Sequence, residues 1–265
     1  MRSQRPGVEP FTERTPRVAA ARALTRRAGR DKAGRFLVEG AQAVREALAF
    51  GRVHELFVTP EAAARNAELL DSVTAPVSYV NDKAASGLSE TITPQGIVAV
   101  CDVLDQPLGS LAGPLVAVMV GVSDPGNAGT VTRVADAAGA SAVVFAGDTV
   151  DPHNGKCVRA STGSVFHLPL IRSRDTTAVF DACRSAGLRL IAADGHADHD
   201  LFEATGELAG PTAWVFGSEA HGLDDHVLSQ MDSVIKVPLY GAAESLNLAT
   251  AAAVCLYASA RAHHA

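Results

Sequence analysis

Downstream of residue 114 the apolar positions come in short unbroken runs: "LVAVMVGV" (115–122), "SAVVFAG" (141–147), "LRLIAADG" (188–195), "TAWVFG" (212–217) and "SVIKVPLYG" (233–241). An unbroken run of strand length is what a strand covered on both faces needs. Segments with helical periodicity, such as 130–138 and 176–186, fall between the runs. The pattern predicts a doubly wound, mostly parallel α/β sheet over residues 115–262.

The first part of the chain reads as a smaller α/β domain, residues 17–104. "RVAAARALTRRAGRDKAGRFLVEGAQAVREALAFG" gives helix, a brief strand at "FLVEG", and a second helix opened by Gly40. "VHELFVT", "PVSYVN" and "GIVAVCDV" add three strands, with the helical "PEAAARNAELLDSV" between the first two. The Pro, Gly and Ser of "DQPLGSLAGP" mark 105–114 as a linker. Residues 1–16 are expected to be a flexible basic arm.

Composition adds an asymmetry. The chain has 265 residues, 47% apolar and 20% charged, which is globular, and its net charge is −6. Residues 1–36 nevertheless hold ten of the 23 Lys/Arg and only three of the 29 Asp/Glu. A basic end on an acidic body suits a polyanionic partner touching that end, with a solubilising tail as the plain alternative. Arg22, Arg26 and Arg30 recur every four residues, and on one continuous helix they would line a single face suited to a phosphate backbone. No apolar run reaches the length of a membrane span and the N-terminus lacks a signal-peptide core, so a cytoplasmic protein with no membrane partner is expected. Cys101, Cys157, Cys183 and Cys255 form no C-x-x-C pair and read as small buried hydrophobes rather than zinc ligands or disulfides.

Ligands of such sheets bind outside the carboxyl ends of the strands. Three strand ends carry polar loops: "GVSDPGNAG", "GSEAHGL" and "YGAAESLN". The first contains no G-x-G-x-x-G turn and no phosphate-loop lysine, so it is not a nucleotide cradle. Asn127 in it suits a turn, or holds a neighbouring side chain or a substrate oxygen. On the following helix Val131, Val134, Ala135 and Ala138 form the inward stripe and Arg133 points away from it. That arginine is either solvated beside Asp136 or a phosphate partner. Gly217 permits a close approach to a ligand. Ser218 and Glu219 suit a helix start, or Glu219 a functional carboxylate. In the last loop Ser245 reads as an N-cap and Asn247 as a polar residue in the first turn, where backbone donors attract a polar ligand group. "DGHADHD" has His196 and His199 near Asp194 and Asp198, but a solvated loop explains it and no metal is expected. A G-x-S-x-G elbow is absent, and His221 beside Glu219 is no triad.

Taken together, "NAGTVTRVADAAGA" (127–140), "VFGSEAHGL" (215–223) and "VPLYGAAESLNLATAAAVCLYA" (237–258) closely resemble the three motifs of the SpoU/TrmH family of S-adenosylmethionine-dependent RNA ribose 2′-O-methyltransferases. "VEGAQAVREAL" resembles that family's substrate-binding domain, related to a ribosomal-protein fold, so the likeness covers roughly residues 17–262. The resemblance implies a deep trefoil knot over about 190–258, an exception to the rule against knots. It implies a homodimer and a catalytic group of Asn127, Arg133, Glu219, Ser245 and Asn247. It further implies S-adenosylmethionine held at Ala193, Gly217, Val237, Leu239 and Leu246, and RNA contacts that include Arg159 in "KCVRASTGS".

Methyl transfer from a sulfonium asks for in-line placement of the ribose oxygen and removal of its proton, without a metal. An added N-terminal domain with a basic helix resembles the rRNA-modifying members, including those that confer thiopeptide resistance, more than the compact tRNA enzymes. Large-subunit rRNA is the expected substrate and tRNA the second choice. A non-catalytic RNA-binding assembly factor and a small-molecule methyltransferase are the alternatives of other classes. The intact motif set argues against the first and the basic arm against the second.

Overall fold

The computed structural model describes residues 9–265, so residues 1–8 of the expected arm lie outside the described residues. The chain forms two compact units. One runs up to Leu104 and takes in His153–Phe166, and the other comprises Asp105–Pro152 and His167–Ala265.

The first unit carries α1 (Pro16–Ala23), α2 (Arg27–Ala33), β1 (Arg35–Glu39), α3 (Ala41–Phe50), β2 (Val53–Val58), α4 (Pro60–Arg65), α5 (Ala67–Asp71), β3 (Val77–Tyr79), α6 (Asp82–Gly87) and β4 (Ile97–Asp102). Its sheet has the order β1-β4-β2-β3, with β4 antiparallel to both neighbours and β3 parallel to β2. Leu37, Phe57, Val98 and Val100 pack under Val18, Leu24 and Leu88 to make its core. Helix starts are set locally: Thr59 accepts from Ala62 N ahead of Pro60, and Asn81 accepts from Ala84 N.

The continuous basic helix expected over residues 22–30 is not formed. α1 stops at Ala23, the Thr25 hydroxyl donates to the Arg22 carbonyl, and α2 starts at Arg27. Gly29 makes the break possible, because a Cβ there would lie 2.0 Å from the Ala23 carbonyl oxygen. The last carbonyls of a helix have no intrahelical donor. Arg30 supplies donors just beyond α1: it is only 3% exposed and its guanidinium donates to the carbonyls of Leu24 (3.0 Å) and Thr25 (3.1 Å). Arg22 and Arg26 are exposed while Arg30 is inside, so the three do not share a face.

The second unit begins with β5 (Asp105–Gln106), β6 (Leu115–Val120), α7 (Pro125–Ala137) and β7 (Ala142–Ala146). The chain then supplies α8 (Gly155–Ser161) to the first unit. It returns with β8 (Leu170–Ser173), α9 (Thr176–Ser185), β9 (Arg189–Ala193), β10 (His199–Asp200), α10 (Thr205–Leu208), β11 (Thr212–Phe216), α11 (Asp225–Leu228), β12 (Ser233–Lys236) and α12 (Leu248–His263). The strand order is β10-β12-β9-β11-β6-β7-β8-β5 and every pairing is parallel, in agreement with the unbroken apolar runs. Residues 105 and 106, inside the stretch read as a linker, pair with β8 as the sheet's edge strand.

The path of the chain marks the binding edge. From β6 it steps outward through β7 to β8, then crosses to the other side of β6 for β9, β11 and β12. The carboxyl ends of β6 and β11 therefore flank the reversal point, where a crevice forms in a doubly wound sheet. α12 packs back on α7, β6 and β11, pinned by a buried hydrogen bond of 2.9 Å from Trp214 Nε1 to Ser259 Oγ. All four cysteines are buried, and burial pushes the thiols of Cys101 and Cys255 up to about 12 and that of Cys183 to about 11. No helix is long and apolar enough to cross a membrane among the described residues.

Candidate active site

Two strand ends at the reversal point build the site. After β6, Gly121 takes a left-handed φ of 64° and the chain reaches Asp124, whose carboxylate accepts from Asn127 N at 2.8 Å and caps α7 with Pro125 in its first turn. Asn127 therefore sits in the first helical turn and not in a turn of its own. After β11 the chain folds back at once, with Ser218 N donating to the Gly222 carbonyl (3.0 Å) and Gly222 N to the Ser218 carbonyl (2.9 Å). A Cβ on Gly217 would lie 2.2 Å from Gly222 C and 2.6 Å from Leu223 N. What approaches Gly217 closely is the protein's own backbone, which corrects its expected role toward a ligand.

Glu219 stands on this hairpin. It does not belong to a helix start capped by Ser218. Its carboxylate accepts from Ser123 N (3.2 Å), Ser123 Oγ (3.3 Å), Asp124 N (3.2 Å) and Asn127 Nδ2 (3.0 Å). Burial acts to raise its pKa, but the Asn127 amide and the main-chain donors outweigh burial and hold it below its ordinary 4.5. The group is an anion at neutral pH.

The third loop joins through Asn247. Asn247, and not Ser245, caps α12: its Oδ1 accepts from Ala249 N (2.9 Å) and Thr250 N (3.3 Å). Its Nδ2 donates to Asn127 Oδ1 at 3.0 Å. Ser245 lies two residues ahead of the cap, exposed. The cap falls to Asn247 because its short amide reaches the first N–H groups and still has a donor to spare. The structure thus connects Glu219, Asn127 and Asn247 in one chain of hydrogen bonds, and Ser245 stays outside it. Arg133 lies under two turns further along α7, exposed, while Val131 and Ala135 are buried. Asp136, its expected neighbour, sits 2.8 Å from His167 Nδ1.

Ala193, Gly217 and Val237 follow the adjacent strands β9, β11 and β12, so the expected cofactor residues meet at one edge. Leu239 and Leu246 are 40% and 36% exposed on the loop 237–247. Among the described residues, the main chain of 237–246 makes no backbone–backbone hydrogen bond. Apolar side chains beside uncommitted N–H and C=O groups suit a ligand with an aromatic face and a polar edge, as an adenosine has.

The other candidates fare differently. Arg159 on α8 donates to the buried Glu39 at 3.2 Å, so it is engaged within the first unit. His196 is open to solvent 3.3 Å from Asp194, and His199 is 3.4 Å from Glu207. Among the described residues no three His, Cys, Asp or Glu side chains form a metal-ligand set. Sequence reasoning passed over Ser123 and Asp124, which hold the hairpin carboxylate. Their signal was present in "SDPGN", an Asp-Pro helix start.

Comparison with known proteins agrees with this geometry. Residues 114–257 match the SpoU rRNA Methylase family, and residues 15–99 match the MRM3-like substrate binding domain. The chain is 37% identical over 232 residues to the 23S rRNA (guanosine(2553)-2′-O)-methyltransferase RlmP of Bacillus subtilis, covering 86% of this chain and 89% of that one. Among solved structures it resembles the SpoU methyltransferase AviRb of Streptomyces viridochromogenes in complex with AdoMet, with a TM-score of 0.83, 32% identity, and 94% and 98% of the two chains covered. It also resembles the AdoMet-bound rRNA methyltransferase of Sinorhizobium meliloti, with a TM-score of 0.81, 30% identity, and 96% and 97% covered.

Proposed function

The chain belongs to the SpoU rRNA methylase family, and on that premise we propose that it transfers a methyl group from S-adenosylmethionine to a ribose 2′-hydroxyl of large-subunit (23S) rRNA. The observation that carries this is the hydrogen-bonded chain Glu219–Asn127–Asn247, which ties three strand-end loops together at the reversal point of the sheet. Ala193, Gly217, Val237, Leu239 and Leu246 would hold the methyl donor. When bound, S-adenosylmethionine supplies a methyl group activated by its sulfonium.

The protein's own residues have two tasks, placing the ribose oxygen in line and easing the loss of its proton. Arg133 is exposed on α7 and always protonated, so it is a poor base and a strong partner for a phosphate. We assign it to anchoring the phosphate next to the target ribose and stabilising the developing alkoxide, with phosphate or solvent taking the proton. Glu219 already accepts four hydrogen bonds and acts as a positioning residue. Asn127 and Asn247 transmit that position to α12, and Ser245, on the exposed loop, faces the ligand side in this scheme.

Residues 17–104 are read as the RNA-binding domain and 115–262 as the methyltransferase domain, with 105–114 between them. Exposed Arg22 and Arg26 support RNA contact by the first. The knot is read over 190–258, supported by the way the chain leaves β12 through the loop 237–247 and packs α12 back on α7 and β6. A homodimer is supported by large apolar side chains left exposed on the second unit, Tyr240 at 87% and Tyr257 at 53% beside Leu239 and Leu246. An rRNA substrate places the enzyme with the ribosome in the cytoplasm.

The test is incubation of the purified protein with tritiated S-adenosylmethionine and either protein-free large-subunit rRNA or bulk tRNA, followed by ribose-methyl mapping. Label at one 2′-oxygen of the rRNA, lost in Arg133→Ala, is expected. Label confined to tRNA overturns the substrate, and label in neither RNA overturns activity on free RNA.

A further inference from the structure

Ile92 is 101% exposed, as open to water as a side chain in an extended peptide. It stands on the loop 89–95, and both flanks of that loop are tied down. Glu39, 8% exposed, accepts from Ser89 Oγ (2.5 Å), Thr91 Oγ1 (3.0 Å) and Arg159 Nη1 (3.2 Å), and Thr91 N donates to Ser89 Oγ (3.0 Å). On the far flank Gln95 Oε1 accepts from Ala41 N (3.3 Å), and Arg65 Nη2 donates to the Gln95 carbonyl (3.3 Å). A nearly buried carboxylate, an arginine and two hydroxyls are thus committed to presenting one apolar side chain to solvent. Nothing in the first unit gains from that arrangement, since Ile92 buries no area on folding.

Beside the loop lies a groove of about 730 Å³, lined by Arg22 and Arg26 on one side and Ser86, Ser89 and Glu90 on the other. The two arginines make no salt bridge to a carboxylate among the described residues. Residue 89 belongs to both features, so the groove and the loop are continuous.

We propose that this surface takes single-stranded RNA, with Ile92 packed against the face of an unstacked base and Arg22 and Arg26 on neighbouring phosphates. The proposal rests on the RNA substrate argued above. Single-stranded RNA loops splay out bases whose faces accept apolar contact, and their backbones need cationic partners. Aliphatic wedges against bases are a known use of isoleucine in nucleic-acid binding. The groove also falls within the volume range of pockets that enclose ligands of nucleotide size. A purely electrostatic RNA surface would have no need of Ile92, and a purely apolar docking site would have no need of two uncompensated arginines.

The test compares full-length wild type, Ile92→Ala and Arg22→Ala/Arg26→Ala for binding to protein-free large-subunit rRNA over a range of salt, with methyl transfer and thermal unfolding in parallel. Ile92→Ala is expected to weaken rRNA binding about fivefold, the low end for one base contact. It should raise KM alike, with kcat, affinity for S-adenosylmethionine, Tm and the salt slope unchanged. The double arginine variant should lower the slope of log K against log salt by about 1.5. Unchanged rRNA affinity in Ile92→Ala overturns the proposal, and so does unchanged affinity combined with lost attachment to ribosomal precursor particles, which would make the surface a protein-docking site. If wild type binds rRNA and methylates none, the proposed activity fails while the affinity comparison still decides on Ile92. If wild type binds no RNA, both fall.

Discussion

Asn247 and Asn127, 120 positions apart, are joined by a 3.0 Å hydrogen bond from Asn247 Nδ2 to Asn127 Oδ1. The same Asn247 caps α12 through its Oδ1, so one side chain serves helix stability with its oxygen and site geometry with its nitrogen. The two jobs can be separated. Asp is as good a cap as Asn but has no amide to donate, and it would put a second anion near Glu219. Asn247→Asp is expected to keep Tm within a few degrees and to lower methyl transfer about 100-fold, as loss of positioning does. Asn247→Ala should lose about 1 kcal/mol of stability as well. Thermal melts and initial rates on rRNA check both, and an active Asn247→Asp would remove the Asn247–Asn127 contact from the catalytic account.

Glu219 gives the site a pH signature. Its pKa is held below 4.5 in the folded protein against the opposing effect of burial. A carboxyl depressed on folding contributes stability above its unfolded pKa and loses it as pH falls through the folded value. Glu219→Gln presents an amide to Asn127 Nδ2 in place of an acceptor oxygen, so the variant should melt lower than wild type at pH 7. The gap should close as pH drops below about 4.5, where wild type protonates. Melting curves from pH 7 to pH 3 decide this, and a gap that does not change with pH contradicts the role given to the carboxylate.

Arg133 is tested by its nearest relative in charge. Lysine keeps the cation but not the planar fork that holds a phosphate by two parallel hydrogen bonds. Arg133→Lys is expected to cut kcat/KM on the order of 100-fold with the affinity for S-adenosylmethionine unchanged. Near wild-type turnover would rule out bidentate anchoring. Calorimetry with the methyl donor alone separates the two readouts.

Gly217 is required by packing. A Cβ there meets Gly222 C at 2.2 Å and its oxygen at 2.3 Å, both backbone atoms that cannot rotate away. Gly217→Ala should therefore cost about 1–3 kcal/mol, and it should move the hairpin that carries Glu219, abolishing transfer. Urea unfolding measures the first effect. A fully stable Gly217→Ala would mean that the turn is looser than its hydrogen bonds indicate.

Much of this was legible along the chain, for reasons that differ by element. Buried parallel strands leave unbroken apolar runs, so β6, β7, β9, β11 and β12 were all readable in position. The edge strand β5 is two residues long and set by its pairing to β8, which no local pattern encodes. The site residues on strand-end loops were legible from position, but their bonds were not. Choosing Asn247 over Ser245 as the cap depended on Asn127, brought near by a fold that joins residues 120 apart. Arg22, Arg26 and Arg30 failed as a single face because a four-residue spacing speaks only for an unbroken helix. The break depends on Gly29 admitting the end of α1.

That break separates the three arginines by experiment. Arg30 is 3% exposed and spends its donors on two carbonyls at the end of α1, whereas Arg22 and Arg26 are exposed beside the groove. Removing a buried charged donor leaves its acceptors unsatisfied, so Arg30→Ala should destabilise the protein by roughly 2–3 kcal/mol. It should leave the salt dependence of rRNA binding, scored on the folded fraction, unchanged. Arg22→Ala and Arg26→Ala should do the reverse, keeping Tm and each lowering the salt slope by about 0.7–0.9. Denaturant titrations and rRNA binding at several salt concentrations give both quantities for each variant. A salt slope lowered by Arg30→Ala in well-folded protein would mean that the guanidinium leaves α1 to meet RNA.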